Sequence, residues 1–476
     1  MKKVIFCAAA LMFGAMGFAQ TGPAANGATP VSGSPANANL TEVDQLGTDQ
    51  RVQIEQVGRR NSAKVTQFDK TFGFFGDVYD NNEAYIKQSG PVGFVTGNSY
   101  ADDNMAEAQQ KGKQNETSLI QSGLRNNARS DQGTNGLSTS ERNKVRIVQG
   151  SGDTAPLQAT MSEDNFAYAL QEGDRNSALI GQNDDNNEAD IDQDGDDNKA
   201  QIKQTSFTPF IEADGHIADI EQDGDDNKAL IDQNGYGGSN DGAITQEGDD
   251  NKAYQTQFNT GGAGAAVNTA SIDQLNSYNA KAYQKQLGEG NDASITQTGG
   301  EWYPDYDSNY AEQTQIGDNN EASITQNFDG NNGIFPPAEE DNYAKQLQHG
   351  DGNEAHIDQD GEGNKAYQKQ WGDNNFIDSE QDGHDNKLAS YQWGNNNHAI
   401  TSQDGSDNHG LINQYSGQSA DLNQIGHGNS ANIFQAGPGG GYNPGVCYFG
   451  PQLDIPCPED VPSIQVQDPC PSGDCY

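Results

Sequence analysis

In the stretch that leads into "DQDGDDNKAQIKQ" (192–204), carboxylates occupy every second position before a glycine. Asp190, Asp192, Asp194 and Gly195 follow the order that opens an EF-hand calcium loop, in which alternate oxygens reach the ion and the glycine makes the sharp turn. Such a loop needs a bidentate Glu at its twelfth position, where this chain has Gln201, and an apolar residue where it has Asp197. The flanks also alternate as strands do. The residues therefore argue against a chelating loop and predict no cofactor. Ca²⁺ is left a nonspecific role, as counterion to stacked acidic turns such as Asp194, Asp196, Asp197 and Asp223, Asp225, Asp226. Like charges about 5 Å apart repel by roughly 1 kcal/mol per pair in a water-like dielectric. The competing reading makes these turns solvated gatekeepers that slow premature association.

Other chemistry finds less support. The chain has no G-x-S-x-G elbow, no H-E-x-x-H and no phosphate-binding loop. His356, His398 and His409 fall on outward strand positions, where a solvated imidazole is the expectation. Tyr85, Tyr168, Tyr254, Tyr283 and Tyr367 each stand three residues before a recurring Gln, as an outward row that could touch surfaces or sugars but also suits a strand. No catalytic residue and no metal ligand is assigned.

Those positions make sense only against the elements that carry them. Gln359, Gln370, Gln381, Gln392, Gln403 and Gln414 are each eleven residues apart. Gly361, Gly372, Gly383, Gly394 and Gly405 follow by two, and Asn364, Asn375, Asn386, Asn397 and Asn408 by five. The unit is Q-x-G-x-x-N-x-A-x-[I/Q]-x-Q, repeated at 56–67, 246–257, 286–297 and 315–326, with about thirty Gln slots between Gln45 and Gln435. In N-x-A-x-I-x-Q, alternation puts Asn, Ala, Ile and Gln on one strand face. In x-G-x-x, Gly, Asp and Asn suit a tight turn. Around the opening stretch the inward set is Gln193, Asn198, Ala200, Ile202 and Gln204, continued by Gln222, Asn227 and Gln233, with Gly195 and Gly224 in the turns.

A seven-residue strand cannot fold alone, but strands stacked at about 4.8 Å satisfy one another's backbone. Two units make one coil of about 22 residues, and the slots give roughly fifteen coils in an all-β solenoid, a rod on the order of 70 Å long. Stacking sets Gln above Gln and Asn above Asn, giving amide ladders along the axis. This also explains the composition. Leu, Ile, Val and Phe make up roughly 16% of the chain and the net charge is −44, a balance that usually signals disorder. A core two strands thick, filled by Ala, Ile and bonded amides, needs fewer apolar groups. With 70 Asp plus Glu against 26 Lys plus Arg, nucleic acid is not an expected partner. Gaps near 22, as from Gln149 to Gln171, leave room for a degenerate strand, and 205–215, 298–308 and 327–341 read as loops bulging from turns.

The repeated Gln, Gly, Asn, Ala and Gln of "ITQEGDDNKAYQTQ" and "SITQTGG" resemble the curlin repeat of bacterial curli fibre subunits, over most of residues 39–435. The resemblance implies a curlin-type β-solenoid. It further implies export through an outer-membrane machinery of a Gram-negative bacterium, nucleation at the cell surface, and self-association into adhesive amyloid fibres of biofilm matrix on host or abiotic surfaces. This chain departs from the familiar subunits in having many more units, loops, and a cysteine-bearing tail. Residues 1–19 read as a secretory signal, 20–38 as a flexible linker, 39–435 as the solenoid and 436–476 as a Pro/Gly/Cys-rich tail. In the tail Cys447, Cys457, Cys470 and Cys475 are possible disulfide partners, with three pairings open. The alternative function is a monomeric secreted adhesin or binding scaffold whose open end the tail caps.

Overall fold

Alternation with a period of two, interrupted every eleven residues by glycine, dictates short strands joined by turns. The computed structural model describes residues 38–46, 49–68, 81–89, 101–133, 140–150, 162–206, 215–236, 238–299, 309–327 and 341–436. The signal, most of the linker and tail, and the three loops lie largely or wholly outside them. All regular structure in the described residues is β. One fifteen-stranded sheet runs from Leu40–Leu46 to Ser419–His427, and a second from Arg51–Gln56 to Ser430–Ala436. Neighbours within each sheet are parallel and follow chain order. Apart from a two-residue ladder of Gly58–Arg59 with Ala101–Asp102, successive strands alternate between the sheets. One coil thus gives one strand to each sheet. Fifteen coils form the predicted β-solenoid.

The gap from Gln149 to Gln171 needs no hidden strand. Lys144–Gln149 lies in the second sheet and Phe166–Glu172 in the first, and each pairs in register with the coils before and after it. The alternation of sheets is complete across the gap.

Between the sheets the core is a stack of small and branched side chains. Ala189, Ile191, Ala200 and Ile202 are fully buried, as are Ala178, Ile180, Ala229 and Ile231 in the neighbouring coils. Ala next to the turn lets the sheets approach at the corner, and Ile fills the middle. A strand presenting two apolar side chains inward buries little on its own, so cohesion comes from the next coil, as in other solenoids.

Candidate functional site: the axial ladders

The register stacks like on like. Gln171 lies beside Gln193, Gln193 beside Gln222, and Gln182, Gln204 and Gln233 follow one another in the second sheet. In every pair the Nε2 of the earlier glutamine donates to the Oε1 of the next, across 2.7 to 3.2 Å. These fourteen bonds in the first sheet run from Gln45 to Gln424. Fourteen more in the second run from Gln56 to Gln435. The second Nε2 proton crosses to the opposite sheet, as from Gln204 to the Glu188 carbonyl at 2.8 Å and from Gln233 to that of Ile217 at 2.7 Å. A carboxylate has no donor for either bond. In later coils a second inward glutamine replaces Ile, and Gln255, Gln284, Gln313, Gln346 and Gln368 form a further ladder at 3.0 to 3.1 Å.

Asparagine closes most corners. Asn198 Oδ1 accepts the backbone N–H of Asn227 at 3.0 Å, while its Nδ2 donates to the carbonyl of Gly224 at 2.6 Å, both in the next coil. The same pair of bonds recurs from Asn386 to Asn408 and Gly405. All of the predicted ladder residues, from Gln193 to Gln233 and from Gln359 to Gln414, are 1% exposed or less. The glycines are held by stacking as well as by φ. At Gly195 φ is 111°, and a Cβ there would lie 2.2 Å from the Gly224 carbonyl oxygen.

The turn carboxylates face solvent, as expected, and the one after the turn glycine also holds a backbone N–H. Asp196 Oδ1 accepts the N–H of Asp174 at 2.8 Å, Asp225 that of Asp196 at 2.7 Å, and Asp249 that of Asp225 at 2.8 Å. The opposite corner repeats this through Asp318, Asp351 and Asp373, ending on Asn395. The residue after the turn glycine is thus a structural acceptor, and its recurrence as Asp was the readable sign. Asp197 instead occupies the left-handed region, φ 59°, where Arg175 pairs with it at 2.6 Å. Among the described residues no three His, Cys, Asp or Glu side chains gather as ligands for a metal ion.

Sequence reasoning missed His216, which takes an asparagine position. Its fully buried ring accepts the Asn240 N–H at Nδ1 (3.1 Å) and meets the Thr205 carbonyl at Nε2 (3.2 Å), so Nε2 carries the proton. Burial lowers its pKa from 6.5 to about 4, against the smaller upward pull of the Thr205 bond. His398 is exposed and stacks on Phe376 with centroids 4.7 Å apart. His409 is half-buried. His356 is only half-buried and is bound by Ser323 at 2.7 Å and Glu354 at 2.9 Å, so it is not the free imidazole expected. Tyr85, Tyr254, Tyr283 and Tyr367 fall on the second sheet, whereas Tyr168 falls on the first. The four cysteines of the tail lie outside the described residues.

This is a device for copying strand register, with hydrogen bonds rather than proton transfer as its chemistry. Residues 163–195 and 173–205 each match the curlin associated repeat. Residues 163–205 are curlin repeats. The matched curlin repeats span the coils in which Gln171, Gln182, Gln193 and Gln204 enter the ladders. No curated protein matches the chain.

Proposed function

We propose that this protein is a structural subunit or nucleator of an extracellular, curli-like amyloid fibre that grows by end-to-end stacking and serves adhesion and biofilm matrix. The observation that carries this reading is the polarity of the ladders. All twenty-eight axial Gln–Gln bonds described above donate from the earlier coil to the later one. Among the described residues, Gln45 and Gln56 of the first coil therefore have no preceding glutamine to donate to them, and Gln424 and Gln435 of the last have no following glutamine acceptor. Joining the last coil of one copy to the first of another continues both ladders, Gln424 to Gln45 and Gln435 to Gln56. Joining two first coils sets acceptor against acceptor, and joining two last coils sets donor against donor. Such a heterologous contact does not close on itself, and so it propagates. No described residue pairs with the outer edge of Leu40–Leu46 or of Ser430–Ala436, and open parallel edges recruit further strands.

Export by an outer-membrane secretion and nucleation machinery, a cell-surface location on a Gram-negative bacterium, and contact with host or abiotic surfaces belong to the same reading. Ca²⁺ enters it only as a counterion to the turn carboxylates. The test uses the purified chain from residue 20 onward, followed by thioflavin fluorescence and electron microscopy with and without residues 437–476. Fibres with a 4.7–4.8 Å axial repeat are the expected result. Persistently monomeric, thioflavin-negative rods in both forms would leave the alternative, a secreted adhesin or binding scaffold.

A further inference from the structure

Because alternate units belong to opposite sheets, the parity of the repeat decides which face a residue joins, and charge follows parity. From Phe166 onward each sheet has eleven strands. Those of the first carry 23 Asp and Glu and no Lys or Arg. Those of the second carry ten Lys and only two acids, Asp232 and Glu312. The solenoid has one acidic and one basic broad face.

Each face holds like charges in columns. Lys199, Lys228, Lys252 and Lys281 are consecutive in register. None of the four is in an ion pair with a described carboxylate, whereas Lys345 is bridged to Glu312 at 2.8 Å. Tyr310 and Tyr343 continue this column after Lys281, and Tyr254 and Tyr283 lie beside it; the four rings follow one another at 6.5, 5.9 and 5.1 Å. On the other face Asp190 lies beside Asp219 and Asp192 beside Glu221. Asp190 Oδ1 is buried without a hydrogen-bond partner. Burial together with the repulsion of stacked like groups holds Asp190, Asp192 and Asp219 above the ordinary carboxylate range and Lys252 below the ordinary lysine value, so within one copy both faces carry their charge at a cost. Both are built on the same coils, so their columns share one axial pitch.

We propose that the faces answer each other between copies, the acidic face of one rod docking side by side on the lysine- and tyrosine-bearing face of a second. Eleven strands at about 4.8 Å, each about 20 Å long, give a face on the order of 1,000 Å², enough for a stable interface. The contact is heterologous, so it extends into sheets or bundles of rods rather than stopping at a dimer. It needs no end-to-end stacking, because monomeric rods carry both faces.

The test compares the chain from residue 20 onward with the quadruple variant Lys199→Glu, Lys228→Glu, Lys252→Glu, Lys281→Glu and the milder set with Gln at the same positions, each checked for β content by circular dichroism. Assemblies are read by electron microscopy for width and by sedimentation for rods that do not elongate. The native chain is expected to associate laterally at low ionic strength and to separate at about 1 M salt, where the Debye length is about 3 Å. The Gln set should associate at least tenfold more weakly and the Glu set remain as single rods. Mixing the Glu set with Asp190→Lys, Asp192→Lys, Asp219→Lys, Glu221→Lys should restore side-by-side pairs. Lateral association of the Glu set equal to the native chain overturns the proposal. So do native rods that stay single alone and bundle only when dextran sulfate is added, which would make an anionic polymer the partner. Loss of elongation with lateral pairing intact counts against the fibre reading and leaves this one standing.

Discussion

Gln193 donates to Gln222, twenty-nine residues away, across 2.7 Å, as closely as Gln171 donates to Gln193 across twenty-two at 2.8 Å. The axial step is therefore indifferent to sequence distance. Gln193→Ala leaves the Gln171 donor and the Gln222 acceptor unmatched in a dry core and should destabilise its coil by about 2–4 kcal/mol. Gln193→Glu should be worse, since it keeps the volume but loses both donors and buries charge. Repeat proteins open locally, so the readout is amide hydrogen exchange of strands 188–194 and 217–223 compared with strands beyond residue 380. Protection lost equally everywhere, or nowhere, contradicts the ladder's role.

Two glycines fourteen residues apart offer an internal comparison. Gly195→Ala drives a Cβ to 2.2 Å from the Gly224 carbonyl oxygen at φ 111°, and should cost about 1–3 kcal/mol or more. Gly181 sits in the strand Ser177–Asn183 with nothing within 4 Å of an added Cβ. Gly181→Ala should be neutral or stabilise by about 0.5–1 kcal/mol through the unfolded chain's lost freedom. Urea midpoints of the two variants against the native chain decide this. Equal losses would mean that glycine matters here for something other than its turn.

The ladder positions were legible because stacking demands identity at fixed slots. Gln, Asn and Gly recur where a buried donor, acceptor or left-handed turn must meet its copy, so counting from Gln359 to Gln414 gave the coil before any coordinates. What counting could not give depends on parity. Lys199 and Glu188 occupy equivalent outward sites of successive units, and only the alternation of sheets sends them to opposite faces. His216 was hidden for a different reason. Its ring nitrogen imitates an amide oxygen, so the slot no longer looks like Asn. The turn aspartates face water as their charge suggested, but charge alone did not show that the one after the glycine also accepts a backbone N–H of the preceding coil.

Asp190 should make stability depend on pH in a direction unusual for a carboxylate. Burial, reinforced by Asp219, Asp192 and Glu188, pushes it up from 3.8 to about 8. The folded state therefore binds a proton that the unfolded chain releases above its ordinary value, so this contribution is full below about 3.8 and is lost as pH rises through about 8. Asp190→Asn removes the penalty at high pH, and its urea midpoint should exceed that of the native chain at pH 8 by more than at pH 5. A gap that is constant with pH means that Asp190 titrates normally.

His216 should act with the opposite sign. Its folded pKa, lowered by burial from 6.5 to about 4, means that the unfolded chain takes up a proton near 6.5 that the folded core refuses until about 4. Stability from this group is fully present above 6.5 and falls as the pH drops through that window. The cause is specific, because protonating Nδ1 abolishes the acceptor for the Asn240 N–H and places a charge where the asparagine ladder expects an oxygen. His216→Asn restores an amide acceptor and has no titration. Taking the difference between the two proteins at each pH cancels the carboxylates they share, Asp190 included. That difference should be within about 1 kcal/mol at pH 7.5 and should move in favour of the asparagine variant as the pH falls to 4.5. A difference that does not change with pH would mean that the ring reaches water and is not part of the ladder.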